Sequence, residues 1–398
     1  METFLVQADR VRENPLQVEG ASSGSQTPSN SPKTTRWSSR SSARSCSSER
    51  STPTQYSQLA EDPHQCPYNL GFTTFAQRHE PPNPFDPGFT GNYSPEKLAD
   101  LRTMSHTDFC MSYQPISGRT VSDQTTTLSI TSIIRTGPRT GAQLVVVNNS
   151  TVAKIYDPLY YDPSDGPDVV MKADQAYSHE AAAYAHLQNS PEVSNLVPNF
   201  HGSWTINVST AIHTDGRTES RSREVRLILI EHLDGICMLK KDPRTLSEHA
   251  RSVILAQCID AEVRLLNTGL DHMDFVPRNI ILQGCDYQTP SIKVKILDFE
   301  WCHLYKHPNY PDQKFAQKCI ESNKKWAPML VNPVKRWRNL EVYAHLGWCS
   351  ENEDEWLSWL WDVFGNDDRY RPVHWDPNTP EIAPQYVNKN GETDDNVF

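Results

Sequence analysis

Hydrophobic residues in the middle of the chain occur in short runs rich in β-branched side chains, which is typical of strands. Three such runs follow one another: TTLSITSIIR (126–135), AQLVVVN (142–148) and TVAKIYD (151–157). The connections between them are short, and the first is the glycine- and proline-bearing turn TGPRTG (136–141). This pattern predicts an antiparallel meander.

Two longer segments change to the spacing of an amphipathic helix. They are ADQAYSHEAAAYAHLQ (173–188) and SEHARSVILAQCIDAEVRLLNTG (247–269), the second with a capping serine at its start and a glycine at its end. Further strand-like segments are VPNFHGSWTIN (197–207), VRLILIEHLDG (225–235), IIL (280–282) and IKVKIL (292–297). Strands with one helix come first and helices dominate later, so we predict an α+β fold with two lobes. A cleft between lobes is a usual place for a ligand.

The first part of the chain lacks such a pattern. Between residues 21 and 60 about half of the residues are Ser or Thr, with Arg interspersed. So little apolar surface cannot offset the entropy lost on ordering the backbone. We therefore predict that residues 1–115 are mostly disordered, apart from a short helix at SPEKLADLRTM (94–104). The Ser/Arg-rich stretch is either a phosphorylated regulatory segment that recruits protein partners or an inert solvated extension.

The remaining predicted boundaries follow the same shifts in pattern. Residues 116–235 form the first lobe and a hinge, residues 236–377 form a short helical second lobe, and residues 378–398 form a loose tail.

Composition and charge exclude several classes of protein. The net charge is −11 and the basic residues form no stripe, so a nucleic-acid surface is not expected. No apolar run is long enough to span a bilayer, and the first residues, METFLVQADRVREN, lack the apolar core of a signal peptide. Nine cysteines without a Cys-x-x-Cys pair are typical of free thiols in a reducing compartment. We expect a cytoplasmic or nuclear protein.

The polar segment HMDFVPRN (272–279) is the first candidate for chemistry. Asp274 lies between a long helix and a strand, Asn279 follows it, and Asp298 ends the next strand. If the two short strands pair as a hairpin, Asn279 and Asp298 come close and offer the oxygen ligands that Mg²⁺ prefers. Asp274 would then be free to accept a proton from a hydroxyl. The alternative is that each residue is only a turn or cap residue.

Two other features of the first lobe add to this candidate site. Lys154 interrupts an apolar strand, where an unpaired ammonium would be costly, and Glu180 on the next helix is its expected partner. Gly137 and Gly141 could let the backbone of TGPRTG approach phosphates closely. The alternatives are a lysine on the solvent face of an edge strand and a plain hairpin turn.

Taken in order along the chain, these features resemble the protein-kinase-like superfamily, which includes protein kinases and small-molecule kinases of the aminoglycoside and choline type. The resemblance covers roughly residues 125–375. HMDFVPRN is similar to the kinase catalytic loop, and AKIYD (153–157) is similar to the third-strand V-A-I-K motif. It implies a first lobe with an antiparallel sheet and one helix and a mainly helical second lobe.

The resemblance also implies roles for individual residues. Lys154 would contact the α- and β-phosphates of ATP and pair with Glu180, and Asp274 would be the catalytic base. Asn279 and Asp298 would hold Mg²⁺. The positions that would bind the nucleotide are Gly137 and Gly141 in the phosphate loop, Glu231 and Leu233 in the hinge that meets adenine, and Ile281 beneath the base.

The departures from the family pattern leave two functions open. D-F-G is replaced by D-F-E (298–300), which resembles the choline-kinase branch, and no A-P-E follows. We expect an ATP- and Mg²⁺-dependent kinase that phosphorylates a hydroxyl of an unidentified small molecule or protein. The alternative is a catalytically weak or inactive pseudokinase that binds nucleotide or acts as a scaffold.

Overall fold

A computed structural model describes residues 66–91, 93–116, 118–166, 168–214, 217–284, 291–336, 341–376, 379, 383–387 and 393. The predictions for residues 1–65, with the Ser/Arg-rich stretch, lie outside the described residues. Within the described part, the chain folds into a mixed α and β structure.

Thirteen strands occur in the described residues. They are β1 (Thr73–Glu80), β2 (Arg119–Arg135), β3 (Gln143–Val147), β4 (Thr151–Tyr156), β5 (Phe200–Thr214), β6 (Arg217–Glu231), β7 (Ile236–Cys237), β8 (Leu270–Asp271), β9 (Ile280–Gln283), β10 (Lys293–Ile296), β11 (His303–Leu304), β12 (Val373–His374) and β13 (Gln385–Tyr386).

Eight α-helices accompany these strands in the same part of the chain. They are α1 (Pro95–Thr103), α2 (His106–Ser112), α3 (Val169–Gln188), α4 (Glu248–Thr268), α5 (Gln313–Trp326), α6 (Pro333–Arg336), α7 (Glu341–His345) and α8 (Glu353–Leu360). A π-helical turn, Trp361–Gly365, continues α8.

Six antiparallel strands close into a barrel in the order β1-β2-β3-β4-β6-β5. The meander predicted from residues 126–157 is present as β2, β3 and β4. The apolar side chains of these strands, among them Leu128, Val145 and Ala153, are buried in the core. Closure pairs the edges that an open sheet would leave unpaired.

The strand that closes the barrel comes from a segment predicted to be disordered. β1 pairs with β2 from Thr73 opposite Ser129 to Glu80 opposite Arg119, and its other edge pairs with β5. The predicted helix over 94–104 is present as α1, with Ser94 as its cap, and α2 follows it. The structure therefore differs from the prediction for residues 66–115, because the partners that order β1 lie far away in sequence and local composition does not reveal them.

Helix α3 packs against the barrel strands β4, β5 and β6. It begins after Asp168, whose Oδ1 accepts a hydrogen bond from the Met171 N–H. This cap lies earlier than the predicted start at residue 173. Ala183, Tyr184 and Leu187 are buried, as their helical spacing predicts.

The rest of the described chain is built around α4. Ser247 caps its start, and Gly269, at a φ of 97°, ends it in the left-handed conformation that glycine adopts without strain. β10, β9 and β7 form a three-stranded sheet, with Ile280 opposite Ile296 as the predicted hairpin requires. The aromatic segment 356–365 packs Trp356, Leu360 and Phe364 into the core.

Two smaller findings complete the fold. Gln385–Tyr386 pairs with Val373–His374, so part of the predicted C-terminal tail is ordered; the rest of that tail lies mostly outside the described residues. None of the described helices combines the length and the apolar character needed to cross a bilayer.

Candidate functional site

Lys154 is the centre of the charged cluster in this part of the molecule. It lies in the middle of β4, opposite Leu144 of β3 and Ile228 of β6, and it is 4% exposed. Its Nζ lies 2.5 Å from Glu180 Oε2 and 2.6 Å from Asp298 Oδ1. The predicted pair with Glu180 is present, because a buried ammonium requires a charged partner.

Glu300 is a third carboxylate at the same ammonium, 2.9 Å from Lys154 Nζ. The Tyr156 hydroxyl also donates to Glu180 Oε2, at 2.7 Å. The sequence shows that a glutamate replaces the glycine of D-F-G, but no role was predicted for Glu300. The feature that could have indicated a role is the acidic residue itself, two positions after Asp298. In the structure, the backbone turn at Asp298, with a φ of 67°, accompanies the approach of both carboxylates to Lys154.

The cluster carries more negative than positive charge. Burial raises the pKa of Glu180 to about 7. The positive charge of Lys154 lowers this pKa, and the negative charges of Asp298 and Glu300 raise it further. Burial would also raise the pKa of Asp298, but the Lys154 ammonium outweighs it and the pKa is lowered. Burial would lower the pKa of Lys154, but the surrounding carboxylates raise it well above its ordinary value. Three carboxylates thus share one ammonium.

The same carboxylates have the donor set of a divalent-cation site. The oxygens of Glu180, Asp298 and Glu300 lie within 4.8 Å of one another. The Asp298 side chain is 34% exposed, so an ion would reach the cluster from its side. All three donors are hard carboxylate oxygens, which Mg²⁺ and Ca²⁺ prefer. A divalent cation would offset the excess negative charge, so the residues present fit such an ion.

The predicted catalytic loop lies next to this cluster. The His272 ring bonds the Leu297 carbonyl at 2.8 Å, and the Leu297 N–H donates to the Asn279 carbonyl at 2.9 Å. Phe299 packs on the His272 ring at a centroid distance of 4.9 Å. These contacts tie Asp298 and Glu300 to the loop that carries Asp274.

Within the loop, Asp274 accepts hydrogen bonds from two side chains. Arg278 Nη2 lies 2.8 and 2.7 Å from its two carboxylate oxygens, and Asn279 Nδ2 lies 2.9 Å from Asp274 Oδ2. Asn279 donates through Nδ2, and no donor bonds its Oδ1 within the described residues, so this oxygen can serve as a ligand. The ion pair between Arg278 and Asp274 was not predicted from the sequence.

A cavity of about 390 Å³ opens in front of Asp274. It is lined by Met273, Asp274, Arg278, Trp301 and His303. Met273 and Trp301 are 56% and 62% exposed, so two large apolar side chains stand open to solvent beside the cavity. The predicted base therefore faces a space with apolar walls and one cation at its edge.

The glycine turn is placed differently from the expectation. The Gly137 N–H donates to Gln143 Oε1 at 2.7 Å, and the Gly141 N–H donates to the Tyr160 carbonyl at 3.1 Å. Gln143 is fully buried and also donates to the carbonyls of both glycines. Because both amides are engaged within the protein, this turn does not present them to a ligand in this conformation.

The predicted hinge residues lie at the exit of the barrel. Glu231 ends β6 opposite Thr151 of β4, and its side chain accepts a hydrogen bond from the Asn199 N–H at 3.0 Å. Leu233 follows in the connection to β7 and is half-buried. Ile281 on β9 is half-buried opposite Cys237 of β7. The Glu231 N–H is taken by the Asn199 carbonyl at 2.8 Å, whereas the Leu233 N–H has no backbone acceptor within the described residues.

Comparison with known proteins gives only distant similarities. No protein-family model matches the chain, and no curated protein matches it. A crystal structure of WbdD is 13% identical, covers 60% of this chain and 46% of WbdD, and has a TM-score of 0.32. Rad53 1–466 in complex with AMP-PNP is 18% identical, covers 44% of this chain and 39% of that chain, and has a TM-score of 0.29. Each match spans less than half of the other protein, and similarities of this size establish no family, substrate or activity for this chain.

Proposed function

We propose that the chain is an ATP- and Mg²⁺-dependent phosphotransferase with a two-lobed, protein-kinase-like fold. The barrel with α3 would be the first lobe and the part built around α4 the second. The observation that carries the proposal is the cluster in which Lys154 meets Glu180, Asp298 and Glu300 beside the loop of Asp274 and Asn279. A structural ion pair needs one partner for each charge, whereas this cluster leaves negative charge for a bound cation to offset.

Each residue then has a defined part in the reaction. Asp298 and Glu300 would hold the cation together with the Asn279 Oδ1, while Glu180, the third carboxylate of the cluster, stays paired with Lys154. Bound Mg²⁺ supplies charge neutralisation at the transferring phosphoryl group. Lys154 holds the phosphates of ATP, and Glu180 keeps the ammonium directed toward them.

Asp274 takes the proton of the acceptor hydroxyl as the oxygen attacks the γ-phosphoryl group. The new O–P bond forms on the acceptor, the bond between the β–γ bridging oxygen and the γ-phosphorus breaks, and ADP leaves. Arg278 fixes the orientation of the Asp274 carboxylate through its two contacts. The acceptor lies in the cavity that Met273 and Trp301 line.

A second candidate is a nucleotide-binding module without turnover. It is favoured by the glycine turn, whose amides are engaged by Gln143 and Tyr160 rather than open to phosphates. In this case Lys154 and Asp298 would still bind nucleotide, and Asp274 would serve only to hold the loop.

Two variants separate the proposals. The full chain is incubated with Mg²⁺ and γ-labelled ATP against panels of hydroxyl-bearing metabolites and generic protein acceptors. We expect label transfer by the wild type, loss of transfer in Asp274→Asn with nucleotide binding retained, and loss of both in Asp298→Asn. Asp242→Asn, a surface change that touches only the Arg244 pair, is the matched control and should transfer label normally. Binding without transfer across the panels would favour the second candidate, and no binding at all would count against both.

A further inference from the structure

A short proline-rich segment after β1 lies between helix α3 and the residues that follow Glu300. It consists of residues 81–85, with the sequence PPNPF, and we call it the strap. Each of its three prolines fixes its own φ angle, so the strap has few alternative conformations. Pro82 and Pro84 are buried, and the strap lines a cavity together with Ser178 and Ala182 of α3. The strap is therefore a stiff element placed beside α3.

His179 ties α3 to the strap. Its Nε2 lies 2.6 Å from the Pro84 carbonyl oxygen. A carbonyl oxygen can only accept a hydrogen bond, so this nitrogen carries a hydrogen and donates. Burial lowers the pKa of His179, and hydrogen bonds to the backbone of Pro84 and of Glu300 raise it in part. His179 directly precedes Glu180, so the residue that bonds the strap and the residue that bonds Lys154 are neighbours on one helix.

Phe85, the last residue of the strap, joins α3 to the chain that follows Glu300. Its ring centroid lies 5.2 Å from that of His179, 5.2 Å from that of His307 and 5.4 Å from that of Tyr310. Aromatic pairs at such distances are favourable beyond the area that they bury. His307 and Tyr310 belong to the segment that leads away from Glu300. Phe85 thus fixes how α3 lies relative to that segment.

The Lys154 cluster depends on this relative placement. Glu180 belongs to α3, whereas Asp298 and Glu300 belong to the other segment, and their oxygens lie 2.5, 2.6 and 2.9 Å from the Lys154 Nζ. A displacement of about 1 Å is enough to disrupt such a site. Side chains that bind a metal or a substrate are held in place by supporting contacts behind them, and the strap provides contacts of this kind.

We propose that His179 and Phe85 are positioning residues of the Lys154 cluster. Through the strap they hold α3 against the segment that carries Glu300, and this arrangement keeps Glu180 and Glu300 at the ammonium and at a bound cation. The inference rests on the proposed function, since it assigns both residues a part in Mg²⁺ binding. Both act through the carboxylates of the cluster.

Mg²⁺ binding by the full chain tests the positioning role and is followed as the rise in melting temperature with Mg²⁺ concentration. We expect His179→Ala to weaken Mg²⁺ binding at least about tenfold, an effect typical of residues that support metal ligands. His179→Gln should restore the binding, because the glutamine Nε2–H can donate to the Pro84 carbonyl in place of the histidine. Equally weak binding by the alanine and glutamine variants would overturn the proposal.

His186→Ala is the matched control. His186 lies two turns further along the same side of α3, and its Nε2 bonds the Thr268 carbonyl at 3.1 Å. This variant therefore loses a bond of the same kind, but one that leads to α4 instead of the strap. We expect a lower melting temperature in both alanine variants and weaker Mg²⁺ binding in His179→Ala alone. Equal Mg²⁺ affinities of His179→Ala and His186→Ala would contradict a positioning role.

Phe85→Ala should weaken Mg²⁺ binding as well, since it removes the contact between His179 and Tyr310. Its control is Phe315→Ala. Phe315 packs on the neighbouring Tyr305 ring at 5.5 Å, but it does so from α5. We expect Phe315→Ala to bind Mg²⁺ as the wild type does. The same result for Phe85→Ala would overturn the part assigned to Phe85.

A second readout keeps this inference separate from the proposed function. In a chain with ¹³C-labelled glutamate carboxyls, the Glu180 resonance is identified by its absence in Glu180→Gln, and its titration gives the pKa of Glu180, about 7 in the wild type. A displaced α3 leaves Glu180 less buried, so in His179→Ala this pKa should fall toward 4.5, whereas His186→Ala should keep it.

The two readouts fail in different ways. A wild type that neither binds Mg²⁺ nor transfers label would refute the proposed function, and a lower pKa of Glu180 in His179→Ala would then still support the positioning role. The same pKa of Glu180 in the wild type and in His179→Ala would overturn the positioning role, whatever the wild type does with Mg²⁺.

Discussion

Lys154 and Arg223 are both buried basic residues of the same barrel, yet their surroundings differ in charge. Arg223 on β6 meets one carboxylate, Asp157, with Nε 3.0 Å from Oδ1 and Nη2 2.6 Å from Oδ2. The Tyr68 hydroxyl donates to the same carboxylate at 2.6 Å. Lys154 on β4 meets three carboxylates instead.

The difference separates a structural ion pair from a candidate site. At Arg223 the charges cancel and the Asp157 oxygens are satisfied by hydrogen bonds, so the pair is complete without a ligand. At Lys154 the negative charge exceeds the positive, and only a proton or a cation can offset it. Burial alone therefore does not indicate function, whereas an unbalanced buried charge does.

The largest effect is expected from breaking the balanced pair. Arg223→Ala leaves Asp157 as a buried, unpaired charge and should lower the free energy of unfolding by about 3–5 kcal/mol. Urea denaturation measures this. Arg221→Ala, two residues away on the same strand and 43% exposed, should change it by less than about 0.5 kcal/mol. Equal losses in both variants would show that the buried Arg223–Asp157 pair contributes no more to the free energy of unfolding than a surface arginine does.

The excess negative charge at Lys154 should make the free energy of unfolding depend on pH. Since burial raises the pKa of Glu180 from 4.5 to about 7, the folded state keeps a proton that the unfolded state loses. The contribution of Glu180 to stability is present below pH 4.5 and is lost as the pH rises to about 7, a change on the order of 3 kcal/mol.

Glu180→Gln cannot titrate, so it serves as the reference. The free energy of unfolding of the wild type minus that of the variant should fall as the pH rises through this window. Saturating Mg²⁺ should make this difference depend less on pH, because the charge of the cation offsets the excess negative charge that otherwise favours a protonated Glu180. A pH-independent difference would argue against excess charge at Lys154.

Divalent cations should stabilise the wild type directly. At about 100 times the dissociation constant, Mg²⁺ should add about 2.7 kcal/mol to the free energy of unfolding, since it binds the folded state alone. We expect Asp298→Asn to lose this gain and Glu300→Gln to lose part of it. Asp242→Asn should keep it. The same Mg²⁺ response in Asp298→Asn and Asp242→Asn would exclude the cluster as the cation site.

Gln143 is a buried but neutral side chain of the same barrel, and it can be compared with the charged side chains of Lys154 and Arg223. It bonds the backbone of the glycine turn, so Gln143→Ala would leave turn groups unsatisfied and cost about 1–2 kcal/mol. Because no charge is involved, the loss should be equal at pH 5 and pH 8, as denaturation at the two pH values would show. If the engaged amides also prevent phosphate binding, the variant should bind nucleotide more tightly.

Much of the site could be predicted because single residues broke a local pattern. Lys154 stood in an apolar strand, Glu180 lay on the next helix, and Asp298 ended a buried strand. The position of Glu300 could not be predicted, since its partner Lys154 comes from a distant segment, and that of Arg278 could not be predicted, since it depends on how the loop turns back toward Asp274. The hydrogen bonds of the Gly137 and Gly141 amides could not be predicted either, because Gln143 and Tyr160 come within bonding distance of them only in the folded chain.

The sequence by itself determined the strands β3 and β4, the part of β2 from residue 126 onward, the helices α3 and α4 with their boundaries to within a few residues, and the side chains available for chemistry. Periodicity, capping residues and turn residues act over a few positions and are therefore readable locally. Only the tertiary structure decided that β1 closes the barrel and that three carboxylates meet at Lys154. Those features depend on hydrogen bonds and charges between residues far apart along the chain, whose distances local sequence does not encode.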